Sequence, residues 1–133
     1  MRRLALLLAA LCAGLGFGCG GNGDERSTRT LTVQAGRELR VLADEYRFDP
    51  SRIRIVGVRK REPAEVRIAL RNEGALAHNL KVFRGDDELG GTPTFPGGRT
   101  ESGTVRLRPG EYRMVCTVGN HADLGMVGEL EVR

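Results

Sequence analysis

The chain has 133 residues with 21 basic and 17 acidic side chains, so its formal charge is +4 and its length suits one domain. Two of the 21 basic residues, Arg2 and Arg3, lie in a start that we expect to be removed, which leaves 19 basic residues against 17 acidic ones. A nearly neutral domain with few aromatic residues and no basic block excludes nucleic acid as the expected partner.

Residues 1–18 have the pattern of an export signal. Basic residues follow Met1, and residues 4–18 (LALLLAALCAGLGFG) are apolar or small throughout. This run is shorter than the roughly 20 residues that span a bilayer, so we expect cleavage. Because Cys19 comes next, the segment resembles the signal of bacterial lipoproteins, which implies that Cys19 is lipidated. The alternatives are a soluble exported protein that is cut nearby and an uncleaved anchor.

The cysteines leave one thiol in the exported part of the chain. Cys12 lies in the signal and Cys19 is assigned to the lipid, so Cys116 has no internal partner for a disulfide. A lone thiol in an oxidising compartment is open to oxidation and mispairing. We therefore expect the surroundings of Cys116 to protect it.

The rest of the chain is predicted to be a flexible tether followed by one all-β domain. Residues 20–29 (GGNGDERSTR) contain no apolar residue and predict the tether, with the domain over residues 30–133. In the domain, apolar residues alternate with polar ones in short runs that are separated by turn residues. This pattern predicts an antiparallel Greek-key β-sandwich or barrel of about seven to eight strands.

The stretch CTVGNHADLGM, residues 116–126, places a cysteine, a histidine and a methionine in one loop. Thiolate, imidazole and thioether are soft or borderline ligands, and their clustering puts them within reach of a single ion. The only other histidine of the chain is His78, which opens a strand predicted over residues 78–83. A metal site therefore needs this residue as well.

Strand parity predicts that these side chains start from the core side of the sheets, because alternate residues of a strand share a face. The apolar residues that share a face are Leu80 and Val82 for His78, Tyr112 and Met114 for Cys116, and Leu130 and Val132 for Met126. Convergence of the ligands consequently requires no strain in the sheets.

The whole pattern resembles the type 1 copper site of the cupredoxin family, to which plastocyanin and azurin belong. The residues that carry the resemblance are His78-Asn79 and Cys116-x4-His121-x4-Met126, with similar stretches at 45–50 (EYRFDP), 72–74 (NEG) and 109–112 (PGEY). The resemblance covers about residues 31–133. It implies that His78, Cys116 and His121 are the strong ligands, Met126 the weak axial ligand, and Asn79 a hydrogen-bonding brace of the ligand loop.

Each of these residues also has an ordinary interpretation. A buried cysteine is commonly inert, a methionine commonly fills a core, and a histidine on an apolar face is commonly held by hydrogen bonds. Together, both histidines, the lone thiol and a methionine favour a metal site. Zinc suits cysteine and histidine, but methionine is a poor fourth ligand for it, so one copper ion is the expected cofactor.

The expected function is single-electron transfer between redox proteins of the cell envelope, by a monomer in the periplasm or on the outer face of the membrane, with Cys19 as the only membrane contact. No enzymatic activity is expected, because the ligand set leaves no open metal position beside an acid or base. The alternatives are a copper-binding or delivery protein on the same fold and an immunoglobulin-like adhesion domain without metal. The resemblance also implies an apolar rim around His121, formed by residues 74–77 and Leu124-Gly125.

Overall fold

The computed structural model describes residues 29–133. The predicted export signal, the lipidation of Cys19 and all but the last residue of the predicted tether lie outside the described residues. Residues 29–133 form ten strands: β1 Thr30–Gln34, β2 Leu39–Asp44, β3 Arg47–Asp49, β4 Arg52–Val56, β5 Ala64–Asn72, β6 Lys81–Arg84, β7 Asp87–Gly91, β8 Thr100–Leu107, β9 Gly110–Val115 and β10 Val127–Val132. In this range no helix is long or apolar enough to cross a membrane.

The strands form two sheets, with the order β1-β4-β10-β9-β6-β7 in one and β3-β2-β5-β8 in the other. The all-β sandwich predicted from the sequence is confirmed. Its strand number is ten instead of seven to eight in the described range. The additional strands include β3, which has three residues, and β7, which ends in Gly90-Gly91. Neither is long and apolar enough to show a clear alternation, so the pattern could not indicate them.

The sheets are mixed, whereas the sequence analysis predicted antiparallel ones. Strand β4 pairs in parallel with both β1 and β10, and β2 pairs in parallel with β5. Period-two alternation shows which side of a strand is buried, but it carries no information about the direction of the neighbouring strand. The prediction therefore had the buried faces correct and part of the pairing wrong.

One core lies between the sheets and continues to the end of the sandwich that carries the predicted ligands. In β2, a strand that was not among those predicted, Leu39, Val41 and Ala43 are buried while Arg40 and the apolar Leu42 are exposed. Cys116 and Met126 belong to the same buried cluster as the aliphatic residues of the strands. Full burial of such apolar side chains contributes roughly 1.5–3 kcal/mol each. The ligand end is thus anchored by the main core.

The segment that contains His78 differs from the predicted strand 78–83. Strand β6 begins at Lys81, and His78 instead forms an isolated bridge with Phe95 through two backbone hydrogen bonds of 3.1 and 3.0 Å. The ladder is interrupted because the Leu80 amide donates to the hydroxyl of Thr92. The parity prediction nevertheless holds, since His78, Leu80 and Val82 are all fully buried.

Candidate metal centre

Three of the predicted ligands converge in one buried group. The Nδ1 atoms of His78 and His121 are 3.2 Å apart, and Cys116 Sγ lies 3.9 Å from the first and 3.6 Å from the second. A point equidistant from the three atoms lies about 2.1 Å from each, which matches the roughly 2.0–2.3 Å bonds that imidazole nitrogen and thiolate sulfur make to a metal. Among the histidine, cysteine and acidic side chains of residues 29–133, these three form the group that could hold a metal ion.

The loop between β9 and β10 supplies the second histidine and brings the methionine to the site. Cys116 follows the last residue of β9, and its amide donates to the carbonyl of Met126 at 3.1 Å. The amide of Met126 in turn donates to the carbonyl of His121 at 3.0 Å. The turn before Met126 contains Gly125 at a φ of 108°, a conformation that glycine adopts without strain. Backbone hydrogen bonds therefore link the three predicted ligands of this loop.

Met126 is fully buried in the core cluster, as strand parity predicts. Its backbone bonds place it next to both Cys116 and His121. A thioether is a weak, soft donor, so a methionine in this place suits an axial ligand better than a strong one.

Asn79 makes the hydrogen bonds of a brace between the two ligand-bearing segments. Its Nδ2 atom donates to Thr94 Oγ1 at 2.8 Å and to Thr117 Oγ1 at 2.9 Å, while its Oδ1 atom accepts from the Thr117 amide at 2.9 Å. Asn79 directly follows His78, and Thr117 directly follows Cys116. These bonds therefore hold the backbone of the two ligands in a constant relation.

Asn72 organises the turn that precedes His78. This fully buried side chain donates to the carbonyls of Leu76 and Phe95 at 2.9 and 3.2 Å, and it accepts from the Gly74 amide at 3.0 Å. Residues 72–74 entered the sequence analysis only as part of a resemblance, and no role was assigned to them. The structure shows that Asn72 determines the shape of the loop that carries the first ligand.

Glu45 is a residue of the site that sequence reasoning missed. Its Oε1 atom lies 3.0 Å from His78 Nε2 and accepts a hydrogen bond of 2.9 Å from the Leu76 amide. The Leu76 hydrogen bond, and after it the His78 ring, lowers the pKa of Glu45 to about 2, so the carboxylate is ionised. A separation of 33 residues gives no local signal for this contact.

No model of a known protein family matches the sequence, and no curated protein matches it. Solved structures do share its architecture. Auracyanin from Roseiflexus castenholzii, reduced with dithionite, has a TM-score of 0.64 at 17% identity, over 74% of this chain and 98% of that chain. Auracyanin A, a "blue" copper protein from Chloroflexus aurantiacus, has a TM-score of 0.58 at 20% identity, over 79% and 100%. Rusticyanin from Thiobacillus ferrooxidans has a TM-score of 0.57 at 21% identity, over 77% and 82%.

The protein has the cupredoxin fold. The loops that carry the predicted ligands lie at one end of the two sheets, and His121 is the most exposed of these four residues. His121 is 8% exposed, whereas His78, Cys116 and Met126 are fully buried. His121 is therefore the member of this group with the largest exposed fraction.

The surface of this cupredoxin fold near the ligands is partly apolar. The rings of Tyr46 and His121 pack together, with their centroids 4.9 Å apart and an interplanar angle of 60°. Leu76 and Leu124, which lie two residues before His78 and three after His121, are about half exposed. These leucines fall in the two segments for which the resemblance implied an apolar rim.

Proposed function

We propose that the protein is a type 1 copper protein that carries single electrons. The observation that carries the proposal is the buried triangle of His78 Nδ1, His121 Nδ1 and Cys116 Sγ, whose size fits one ion. Imidazole suits Cu(II), while thiolate and thioether suit Cu(I), so the donor set accommodates both oxidation states. The copper chemistry named for auracyanin A supports the choice of metal.

Transport of electrons, not catalysis, is the activity that the burial of the ligands favours. Catalytic metal sites keep an open coordination position for water or substrate. Here three of the four proposed ligands are fully buried and His121 is only 8% exposed, which leaves little room for a substrate to reach the ion. An electron can leave through an imidazole ring, whereas a substrate would need direct access to the ion.

Copper delivery is a less suitable function for the same reason. A delivery protein must release Cu(I) readily to a competing ligand, and a buried site braced by Asn79 and by backbone hydrogen bonds opposes that release. A titration of the Cu(I) protein with a chelator measures this directly. Slow release is expected for an electron carrier, and rapid release would favour delivery.

The cellular setting is proposed from the first 29 residues. An exported monomer, held by lipid at Cys19 and a tether, would meet redox proteins of the cell envelope in the periplasm or on the outer face of the membrane. The half-exposed Leu76 and Leu124 beside the ligand segments suit brief contact with such partners, because apolar surface can be dehydrated at low cost.

The visible spectrum of the copper-loaded protein tests the proposed function. We expect intense thiolate-to-Cu(II) absorption that disappears on reduction and returns on oxidation. Cys116→Ser should abolish the absorption, and the matched substitution Cys19→Ser should leave it unchanged. A wild-type protein that binds no copper, or that stays colourless with Cu(II), would contradict the proposal.

A further inference from the structure

Glu45 contacts the outer nitrogen of a proposed copper ligand. The residue lies between β2 and β3, and its Oε1 atom is 3.0 Å from His78 Nε2. The Nδ1 atom of the same ring faces Cys116 and His121. When Nδ1 binds a metal, Nε2 carries the ring proton, so the Nε2–H group of His78 donates a hydrogen bond to the Glu45 carboxylate. The ring is thus held from both sides.

The loop before His78 holds the Glu45 carboxylate in place. The Leu76 amide donates a hydrogen bond of 2.9 Å to Glu45 Oε1. The Leu76 carbonyl accepts a hydrogen bond from Asn72 Nδ2. Gly74 lies against the carboxylate, and a Cβ at that position would overlap it. The buried Asn72 also accepts from the Gly74 amide, which keeps this close approach in place. The contacts that hold the carboxylate are therefore made by protein groups and do not depend on the metal.

A carboxylate on the outer nitrogen of a metal-bound histidine has two physical effects. It determines the tautomer and orientation of the ring, and it makes the imidazole a stronger donor. Its negative charge also stabilises the ion with the higher positive charge. Both effects favour Cu(II) over Cu(I).

We propose that Glu45 is a positioning residue, which holds His78 in the Nε2-protonated tautomer and lowers the reduction potential of the copper. The effect on the reduction potential rests on the proposed function. The effect on the His78 tautomer concerns the polypeptide alone. No other acidic side chain in residues 29–133 is within ion-pair distance of either histidine.

Two substitutions separate the charge of Glu45 from its hydrogen bonds. Because Oε1 makes the contacts to both His78 and Leu76, Glu45→Gln can keep them through its single amide oxygen while it removes the charge. Glu45→Ala removes both the charge and the contacts. Glu65→Gln is the matched control. Glu65 is an exposed carboxylate at the start of β5, whereas Asn72, which contacts the loop before His78, is at the end of that strand.

The first measurement is the reduction potential of the copper-loaded protein. We expect Glu45→Gln to favour Cu(I) over Cu(II) about tenfold, which corresponds to a rise of about 59 mV for one electron. Glu45→Ala should raise the potential at least as much, and Glu65→Gln should change it by less than a fifth of that amount. A Glu45→Gln protein that keeps its blue absorption and the potential of Glu65→Gln would overturn the proposal and leave the proposed function intact.

The second measurement uses the metal-free protein. Nitrogen NMR of the histidine rings should show His78 with its proton on Nε2 in the wild type and in Glu45→Gln. Glu45→Ala should give a mixture of tautomers and faster exchange of that proton. A wild-type His78 protonated on Nδ1, or a tautomer that is unchanged in Glu45→Ala, would overturn the proposal whether or not the protein binds copper.

Discussion

The backbone amide of Cys116 donates a hydrogen bond of 3.1 Å to the carbonyl of Met126. This bond closes the ten-residue step between the first and last proposed ligand of the loop, immediately where β9 ends and β10 begins. Together with the bond from Met126 to the carbonyl of His121, it sets the ligand positions through the backbone. These positions are therefore set by the fold, which suits the proposed transfer of electrons with little rearrangement of the ligands.

Removal of copper should lower the thermal stability without unfolding the domain. Copper at about 100 times its dissociation constant stabilises the folded state by about 2.7 kcal/mol, and a domain of this size shifts by roughly 4–8 °C per kcal/mol. Thermal unfolding followed by circular dichroism, with and without a chelator, measures the difference. Cys116→Ser should show almost no response to the chelator. Equal stability of loaded and chelated wild type would instead indicate a domain without metal.

Substitution of Met126 in the metal-free protein should show how much its side chain contributes to core packing. Met126→Ala leaves a cavity in the core and is expected to lower the free energy of unfolding of the metal-free protein by about 2–5 kcal/mol. Met126→Leu retains most of the volume and should cost less than about 1.5 kcal/mol. Denaturant titration measures both values. If the two variants were equally destabilised without metal, Met126 would not be the packed core residue that its burial indicates.

Asn79→Ala should loosen the link between the His78 and Cys116 segments. It removes two donated hydrogen bonds and the acceptor of the Thr117 amide, so we expect a loss of about 1–3 kcal/mol and faster release of copper. Denaturant titration and chelator kinetics measure the two effects. Asn120→Ala, at an exposed position of the loop between β9 and β10, is the control and should stay within about 0.5 kcal/mol of wild type. Equal behaviour of the two variants would exclude the bracing role.

Glu131 should make a contribution to stability that disappears in acid. Its hydrogen bond from Arg54 at 2.6 Å, and after it the contact with Arg133, lowers the pKa of the carboxyl in the folded protein. A group whose pKa is depressed by folding stabilises the protein above its unfolded pKa, near 4.5, and loses this effect as the pH falls through the folded pKa. Glu131→Gln should therefore be less stable than wild type at neutral pH and equal to it in strong acid.

Denaturant titrations of wild type and Glu131→Gln across this pH range check the prediction. Glu65→Gln, which replaces an exposed carboxylate on β5, should follow the wild-type pH dependence. Because Glu131 is near the surface, raised salt should reduce the difference between the two proteins. A difference that grew in acid would have the wrong sign for a depressed pKa.

Local sequence determined the buried faces and the composition of the ligand group. Alternation of apolar and polar residues correctly indicated the inward side of His78, Cys116 and Met126, because side-chain direction along a strand depends only on the backbone period. The softness of thiolate, imidazole and thioether is likewise a property of the side chains themselves. For these reasons the ligand group could be predicted before its distances were known.

Tertiary structure alone decided the pairing of the strands and the surroundings of the ligands. The direction of β4 relative to β1 and β10 depends on where the chain crosses between the sheets, and alternation carries no record of that path. The contact of Glu45 with His78 joins residues from separate loops. The position of the carboxylate also depends on the close approach of the loop around Gly74. Long-range contacts of this kind arise from packing, so no pattern of neighbouring residues could have revealed them.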